Sequence, residues 1–380
     1  MGTDQLTINI DAAKSGSEQK KRIEWVDIAK CICIVFVMLS HLGDLEIAPE
    51  LRLFYTNFYL TGFFFASGYV YRFVPGFLTH IKKKIRQLFI PWLLFSVANI
   101  VLSYLLTFSP DGHNNFWTEL ARNFLQVRGY SDGMWFVAAL FTAYIFFYLF
   151  IKCFETSKAK NGRKAIRVFV LIAAVLFFAN MAYSALMPKE IFPWKSNCLP
   201  WHLEYVPYAL YFMFAGYLFR QYFETGFDSF FSVGKAALVI VLYLVMAYIP
   251  HIFNLTMPWY AQALYSFVET NLAVSMLILI SKRIRPNKYL LFVGRNTLAY
   301  FGMHGKLLAL CEAVFIKISP SLYNFVICSH FLSAVYSIIM GIAFSVILII
   351  PAMIINKYLP FMVGKTYKRG KEKQKFTVQI

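Results

Sequence analysis

A lysine and a histidine in the first long apolar segment are the residues of this sequence best placed to do chemistry. Lys30 and His41 are separated by ten residues, none of them charged. A cation and an imidazole that titrates near neutral pH are costly to place inside a membrane span, so both are candidates for a functional site. On a helix, eleven steps of about 100° return to within about 20° of the starting direction, and the two groups lie roughly 16 Å apart along one face.

Asp27 strengthens this interpretation. It lies three residues before Lys30 on the same helical face, where it can pair with the lysine and keep it charged. A simpler interpretation remains open, in which Lys30 extends to the cytosolic headgroups and His41 lies in the opposite interface. The shared face of the two residues, and polar residues in other apolar segments, favour a functional site.

A basic pair in a later loop could bind phosphate groups. Lys83 and Arg86 lie three residues apart at the mouth of a helix, a spacing that suits a phosphate ligand. The preference of cytosolic loops for positive charge explains the same residues and is favoured by composition alone. Earlier in the chain, Ser67 and Gly68 allow a backbone or a ligand to come close, and Tyr69 offers a hydroxyl, although close helix packing is the favoured explanation.

Further polar residues lie within the apolar segments. Any one of them could be a hydrogen-bonded structural group, but together they indicate a hydrated internal cavity. Trp135 belongs to a set of tryptophans that could stack on sugar rings, although interfacial belts also collect tryptophan. The polar residues in question are Glu204 beside His202, Glu269, Asn271, Arg295 and His304.

The composition indicates an all-α polytopic membrane protein. Of 380 residues, 59% are hydrophobic and only 15% are charged. Apolar stretches of about 20 residues, long enough to cross a hydrocarbon core, recur from end to end. We predict about ten transmembrane helices, near 24–43, 54–72, 88–107, 134–151, 166–186, 203–220, 233–250, 261–281, 290–316 and 331–356.

The distribution of Lys and Arg predicts the orientation. With these spans, 29 of the 37 basic residues fall in the even-numbered loops and both termini, and six fall on the other side. Because short basic loops stay in the cytosol, both termini are expected to be cytosolic. The net charge of +18 then needs no nucleic acid to explain it, and part of it can attract anionic membrane lipids. We expect a cytosolic tail at 1–22 in place of a signal peptide, a membrane domain at 23–358 and a basic cytosolic tail at 359–380.

In order and spacing, these motifs resemble acyltransferase family 3, the integral-membrane acyltransferases that modify bacterial surface polysaccharides. The resemblance extends from about residue 21 to 356, and the family often has arginine at Lys30 and Lys83 and aspartate near Glu204. The motifs that carry it are the run from Arg22 through Asp27 and Lys30 to His41, Phe-Phe-Phe-Ala-Ser-Gly-Tyr69, Lys83-x-x-Arg86 before Ile-Pro-Trp, Met134-Trp-Phe-Val-Ala-Ala-Leu-Phe, and Gly-Arg295-Asn-Thr-Leu ending in His304.

The resemblance implies O-acyl transfer, with acetyl as the expected group, from cytosolic acyl-coenzyme A to a sugar hydroxyl outside the bacterial plasma membrane. His41 would be the general base, supported by Lys30 and Asp27, in direct transfer or through a transient acyl-histidine. Acetyl-coenzyme A would be a co-substrate, and neither a tightly bound cofactor nor a metal is expected. Donor binding is assigned to Lys83, Arg86, Lys30, Ser67, Tyr69 and Arg295, and acceptor binding to Trp135, Glu204, His304 and Glu269.

Two other functional classes are alternatives to an enzyme. A flippase for lipid-linked sugars also needs buried charges, and it would predict inverted repeats with broken helices in both halves, which the sequence does not show. A sensor or scaffold leaves the pairing of Lys30 and His41 unexplained. Neither the acceptor nor the length of the acyl group is specified by the sequence.

Overall fold

The computed structural model describes residues 22–42, 49–106, 116–128, 134–194 and 196–365, and within these ranges the chain is helical with no β-strand. The predicted all-α class is therefore confirmed. A helix satisfies its backbone hydrogen bonds within one segment, which an apolar surrounding requires. Six helical stretches are long and apolar enough to cross a membrane: Phe77–Leu105, Trp135–Asn161, Arg163–Leu186, Val233–Ile252, Trp259–Arg283 and His330–Tyr358.

Numbered in chain order, the helices vary widely in length, and several are short. Those of the first half are α1 Glu24–Leu39, α2 Pro49–Tyr55, α3 Thr61–Tyr69, α4 Phe77–Lys84, α5 Ile90–Leu106, α6 Phe116–Leu125, α7 Trp135–Asn161 and α8 Arg163–Leu186. Those of the second half are α9 Val206–Leu218, α10 Glu224–Phe230, α11 Val233–Ile252, α12 Trp259–Arg283, α13 Lys288–Arg295, α14 Thr297–Ile318, α15 Pro320–Ile327, α16 His330–Ile347 and α17 Ile349–Tyr358.

The four other predicted spans form shorter or interrupted helices, so the count of ten remains a prediction. The segment 54–72 divides into α2 and α3 around a turn at 56–60, and 290–316 divides at Asn296 into α13 and α14. The segment 203–220 opens as a 3₁₀ turn, and α1 has 16 residues. Most residues of α1, α3 and α9 are buried, and interruptions are tolerated where neighbouring helices cover the backbone.

Helix α1 lies at the centre of the bundle. It packs against α3, α12, α13, α14 and α16. We call the end of the bundle where α1 begins the Asp27 end, and the end where α1 finishes the His41 end. Because one helix connects the two ends, residues at its start and finish are held at a fixed separation.

Glycines set the closest helix contacts. Gly68 of α3 faces the backbone of Met213 in α9, and Gly216 of α9 faces the backbone of Phe65 in α3. Gly294 of α13 lies equally close to the carbonyl of Asp27 in α1. Small residues let helix backbones approach where apolar surroundings provide little driving force for association. The close packing expected for Ser67 and Gly68 is therefore present.

The Asp27 end carries two π-helical turns and part of the predicted C-terminal tail. The π turns are Ile85–Phe89, between α4 and α5, and Phe219–Phe223, after α9. A 3₁₀ turn at Pro360–Val363 packs on the first π turn, and Gly364 lies against the backbone of Gln87. The segment predicted as a tail from residue 359 thus begins within the bundle.

We predict that Gly68→Ala destabilises the protein because the added methyl group would overlap the carbonyl of Met213. Overpacking of this kind costs about 1–3 kcal/mol in the free energy of unfolding. Gly226→Ala is the matched control, since its methyl group would meet nothing within 4 Å. Thermal unfolding of both variants in detergent measures the effect. Equal midpoints for Gly68→Ala and the control would show that α3 and α9 do not need this contact.

Candidate active site

A buried carboxylate organises the Asp27 end. Asp27 is only 2% exposed, and Lys30 Nζ lies 2.9 Å from its Oδ1. Arg22 Nε donates to Oδ2 over 2.7 Å, and Arg295 Nε donates to the same oxygen over 3.2 Å. The structure therefore brings together Asp27, Lys30 and Arg295 of the predicted site, and it adds Arg22, which the sequence analysis did not assign to the site.

Positive charge exceeds negative charge around Asp27. Lys365 donates from Nζ to Asn296 Oδ1 over 3.1 Å, and it lies near enough to Arg22 for their charges to interact. Burial lowers the pKa of Lys365, and the charge of Arg22 lowers it further. We call Arg22, Asp27, Lys30, Arg295 and Lys365 the Asp27 cluster. With a single carboxylate among four basic residues, the cluster is suited to an anionic ligand.

Lys83 and Arg86 lie at the same end, with exposed side chains. The neighbouring Lys84 turns inward instead, and its Nζ lies 3.2 Å from the centre of the Tyr144 ring. The carbonyl of Arg86 lies beside Gly364, the residue before Lys365. The first π turn and the C-terminal segment thus place the backbone of Arg86 next to the Asp27 cluster, while its side chain faces outward.

Ser67 and Tyr69 have different surroundings. The carbonyl of Ser67 accepts a 3.4 Å hydrogen bond from the hydroxyl of Tyr144, the ring that Lys84 covers. The hydroxyl of Tyr69 donates to Glu224 over 2.6 Å, and Trp25 Nε1 donates to the same carboxylate over 3.1 Å. Ser67 therefore lies on the side of Lys84, whereas the Tyr69 hydroxyl is bound to a structural carboxylate.

Two histidines meet at the His41 end. The rings of His41 and His304 have centroids 4.7 Å apart at an angle of 60°. His304 Nδ1 lies 2.9 Å from the carbonyl oxygen of Phe301. Because a carbonyl oxygen only accepts, Nδ1 carries the hydrogen, and Nε2 of the neutral ring is the proton acceptor. His41 is exposed just beyond the end of α1, so its ring is the member of the pair that is open to a substrate.

Trp135 is connected to this pair through neighbouring aromatic rings. The guanidinium of Arg128 lies 4.5 Å from the centre of the Trp135 ring, and the His202 ring lies 5.3 Å away. The next residue, Phe136, stacks on Phe301 at 5.3 Å and 18°. Since the carbonyl of Phe301 also accepts the hydrogen bond from His304, a short chain of aromatic contacts connects Trp135 with the histidines.

Glu204 and His202 form a buried pair beside Trp135. His202 Nδ1 lies 3.6 Å from Glu204 Oε1, and the other carboxylate oxygen accepts from the amide of Leu199 over 2.8 Å. Within the described ranges, neither nitrogen of His202 nor Glu204 Oε1 has a hydrogen-bond partner. Trp201 and His202 have left-handed backbones, a strained conformation that recurs at functional sites. His202 was not assigned to the site because its burial depends on this local conformation, which no periodicity reveals.

Glu269 lies on α12, close to the side chain of Asn57 in the turn that separates α2 from α3. The charge of Glu269 also reaches Tyr208 of α9 and Tyr243 of α11.

Comparison with known proteins identifies the family of this chain. The sequence profile of the Acyltransferase domain of the acyltransferase 3 family matches residues 23–355. Searches of curated proteins and of solved structures returned no match. The matched segment includes α1 and every residue that the sequence motifs assigned to the site, whereas Arg22 and Lys365 of the Asp27 cluster lie just outside it. This protein belongs to the acyltransferase 3 family of membrane acyltransferases.

Proposed function

We propose that this protein transfers a short acyl group, acetyl in the simplest case, from cytosolic acyl-coenzyme A to a hydroxyl of a sugar or polysaccharide outside the membrane. The observation that carries the proposal is that one helix joins an anion-binding cluster to a histidine pair. About 1.5 Å per residue puts Lys30 and His41 roughly 16 Å apart, which a pantetheine arm can bridge. The family match gives no support for the flippase alternative.

The donor would bind at the Asp27 end. The phosphates of coenzyme A need cations, and the Asp27 cluster offers basic side chains in excess of its carboxylate. Lys83 and Arg86, exposed at the same end, would capture the adenosine phosphates as the donor arrives. Lys30 acts there as a point charge, without the bidentate geometry of an arginine. In this orientation the Asp27 end faces the cytosol, as the basic loops predict.

The chemistry would take place at the His41 end. His41 takes the proton of the sugar hydroxyl, and the hydroxyl oxygen attacks the thioester carbonyl. The carbon–sulfur bond then breaks, and the coenzyme A thiolate leaves and takes up a proton. In the two-step variant, a ring nitrogen of His41 attacks the thioester carbon, the carbon–sulfur bond breaks and the coenzyme A thiolate leaves. The sugar hydroxyl then attacks the acyl carbon, the carbon–nitrogen bond breaks, and the released imidazole takes up the hydroxyl proton. His304 Nε2 is an acceptor that orients or relays the proton.

The acceptor would bind around Trp135. The indole ring offers an apolar face for a sugar ring, and Arg128 and the buried pair of His202 and Glu204 supply polar groups beside it. Tyr59 links this region to α1, because it lies near both Arg128 and Ser40, the residue before His41. This proximity supports a sugar site beside the proposed base.

We predict that His41→Ala abolishes acyl transfer and the slow hydrolysis of acetyl-coenzyme A by purified protein, while donor binding is retained. General base catalysis is typically worth about 10²–10⁴-fold, so less than about a tenth of the wild-type rate should remain. His251→Ala is the control, since His251 is exposed on α11 and lies outside the site. An alanine variant that keeps more than about a tenth of the activity would contradict the assignment of His41.

We predict that the double variant Lys83→Ala/Arg86→Ala binds acetyl-coenzyme A about tenfold or more weakly, because each charge-assisted hydrogen bond contributes about 1.5–3 kcal/mol. The remaining binding should depend less on salt. Calorimetric titration at two ionic strengths gives both quantities. Lys82→Ala, which removes an exposed charge from the same helix, should change neither. Unaltered binding by the double variant would leave both residues as determinants of topology alone.

Asp27 acts through Lys30 in this scheme, so it is a positioning residue. We predict that Asp27→Asn lowers the free energy of unfolding by about 1.5–3 kcal/mol, because a buried carboxylate loses charge-assisted hydrogen bonds to partly exposed cations. It should also raise the KM for acetyl-coenzyme A more than it lowers kcat. Asp228→Asn is the control, because the Asp228 side chain that pairs with Lys282 is 66% exposed and should be worth less than about 1 kcal/mol. Wild-type stability and KM in Asp27→Asn would exclude the positioning role.

A further inference from the structure

A second polar site lies at the Asp27 end, outside the groups used above. A cavity of 390 Å³ opens between the loop that follows α3, the cytosolic part of α7 and the π turn that follows α9. Its lining includes Tyr71, Arg72, Glu155, Tyr217, Arg220 and Gln221. None of these residues belongs to the Asp27 cluster or to the surroundings of the histidine pair.

The charge of this cavity is positive. Within the described ranges, neither Arg72 nor Arg220 has a carboxylate at ion-pair distance. Lys158 adds a third cation at the edge, where its Nζ donates to Gln221 over 3.1 Å. The carboxylate of Glu155 accepts a 2.7 Å hydrogen bond from Tyr217 and lies 3.9 Å from Lys158. The cavity therefore keeps two guanidinium groups available for an anion.

A buried hydrogen-bond donor and an irregular helix turn indicate that this cavity is a preformed binding site. Tyr71 is 7% exposed, and its hydroxyl has no hydrogen-bond partner in the part of the chain that the structure describes. Arg220 stands in the π turn, a helix irregularity that recurs at functional sites. It is oriented by a 3.3 Å hydrogen bond to the carbonyl of Tyr69 and by contact with the ring of that residue. Two guanidinium groups and a hydroxyl match the oxygens of a phosphate group.

Exposed apolar side chains flank the lining residues along the chain. Val70 and Val74, which flank the lining residues of the loop, are 49% and 63% exposed. Tyr222 and Phe223, which follow Gln221, are 42% and 61% exposed. A soluble phosphate would make no contact with these apolar side chains. A lipid would place its acyl chains against them when its phosphate group enters the cavity. We propose that the cavity binds the phosphate headgroup of an anionic membrane lipid.

The site is separate from the proposed donor site. Tyr69 lies between Arg220 and Trp25 of α1, with its ring 4.8 Å from the Trp25 ring and its hydroxyl bound to Glu224. A lipid in the cavity would contact α7, the end of α9 and the loop after α3, and so would hold the close α3–α9 contact together from outside. The inference does not rest on acyl transfer and can be tested without it.

The test uses full-length protein purified in neutral detergent. Thermal unfolding and native mass spectrometry are followed while phosphatidylglycerol or phosphatidylcholine is added to the micelles. We expect phosphatidylglycerol alone to raise the unfolding midpoint of the wild type, and Arg72→Gln/Arg220→Gln to bind it about tenfold or more weakly. Lys152→Gln/Arg163→Gln removes the same charge from exposed positions and should behave like the wild type. Equal effects of the two lipids, or equal losses in the two double variants, would overturn the proposal.

Three further arms separate this site from its alternatives. Tyr71→Phe keeps every charge and should fold normally, yet it should weaken phosphatidylglycerol binding several-fold, so it decides the question if the arginine variant does not fold. An excess of inorganic phosphate should leave the lipid bound, because the exposed apolar side chains hold the acyl chains. Acetyl-coenzyme A should also leave it bound. Displacement of the lipid by either soluble ligand, or wild-type binding by Tyr71→Phe, would overturn the proposal.

Discussion

The ion pairs of Asp27 are the interaction on which the rest of the structure depends. The carboxylate joins Arg22 before α1, Lys30 within it and Arg295 at the end of α13. Without the buried carboxylate, these three cations would have no counter-charge between them and would repel one another. Gly294 allows α13 to approach closely enough for Arg295 to reach the carboxylate. The same contact therefore fixes the interrupted helix in the bundle and gathers positive charge at one end of α1.

Sequence composition was sufficient for the helical class, because long apolar segments in a membrane have few alternatives to a helix. The pairing of Asp27 with Lys30 also followed from helical spacing alone. The interruptions at 56–60 and at Asn296 were missed because a window of about 20 residues averages a short turn into its apolar flanks. Hydropathy reports how apolar a stretch is, and it does not report whether the backbone continues through it.

Spacing alone predicted the candidate site only where its members share one helix, and Arg295 was assigned through the family resemblance. His41 and His304 lie at opposite ends of the sequence, and their ring contact depends on how α14 packs against α1. Lys84, and not Lys83, points toward Tyr144. Which lysine does so depends on how α4 packs against α7, and a run of lysines does not encode that packing. Likewise, the Tyr69 hydroxyl is bound by Glu224, a residue far along the chain that no local motif connects with it.

The docking of the C-terminal segment matters for anyone who shortens this chain. Pro360 is buried, Gly364 rests on the π turn that carries Arg86, and Lys365 reaches Asn296 at the break between α13 and α14. A fragment that ends at the last apolar helix would lose these contacts and expose the interruption between α13 and α14 to solvent. The smallest fragment that preserves the Asp27 end therefore extends past Lys365, and a purification tag belongs beyond that residue with a spacer of its own.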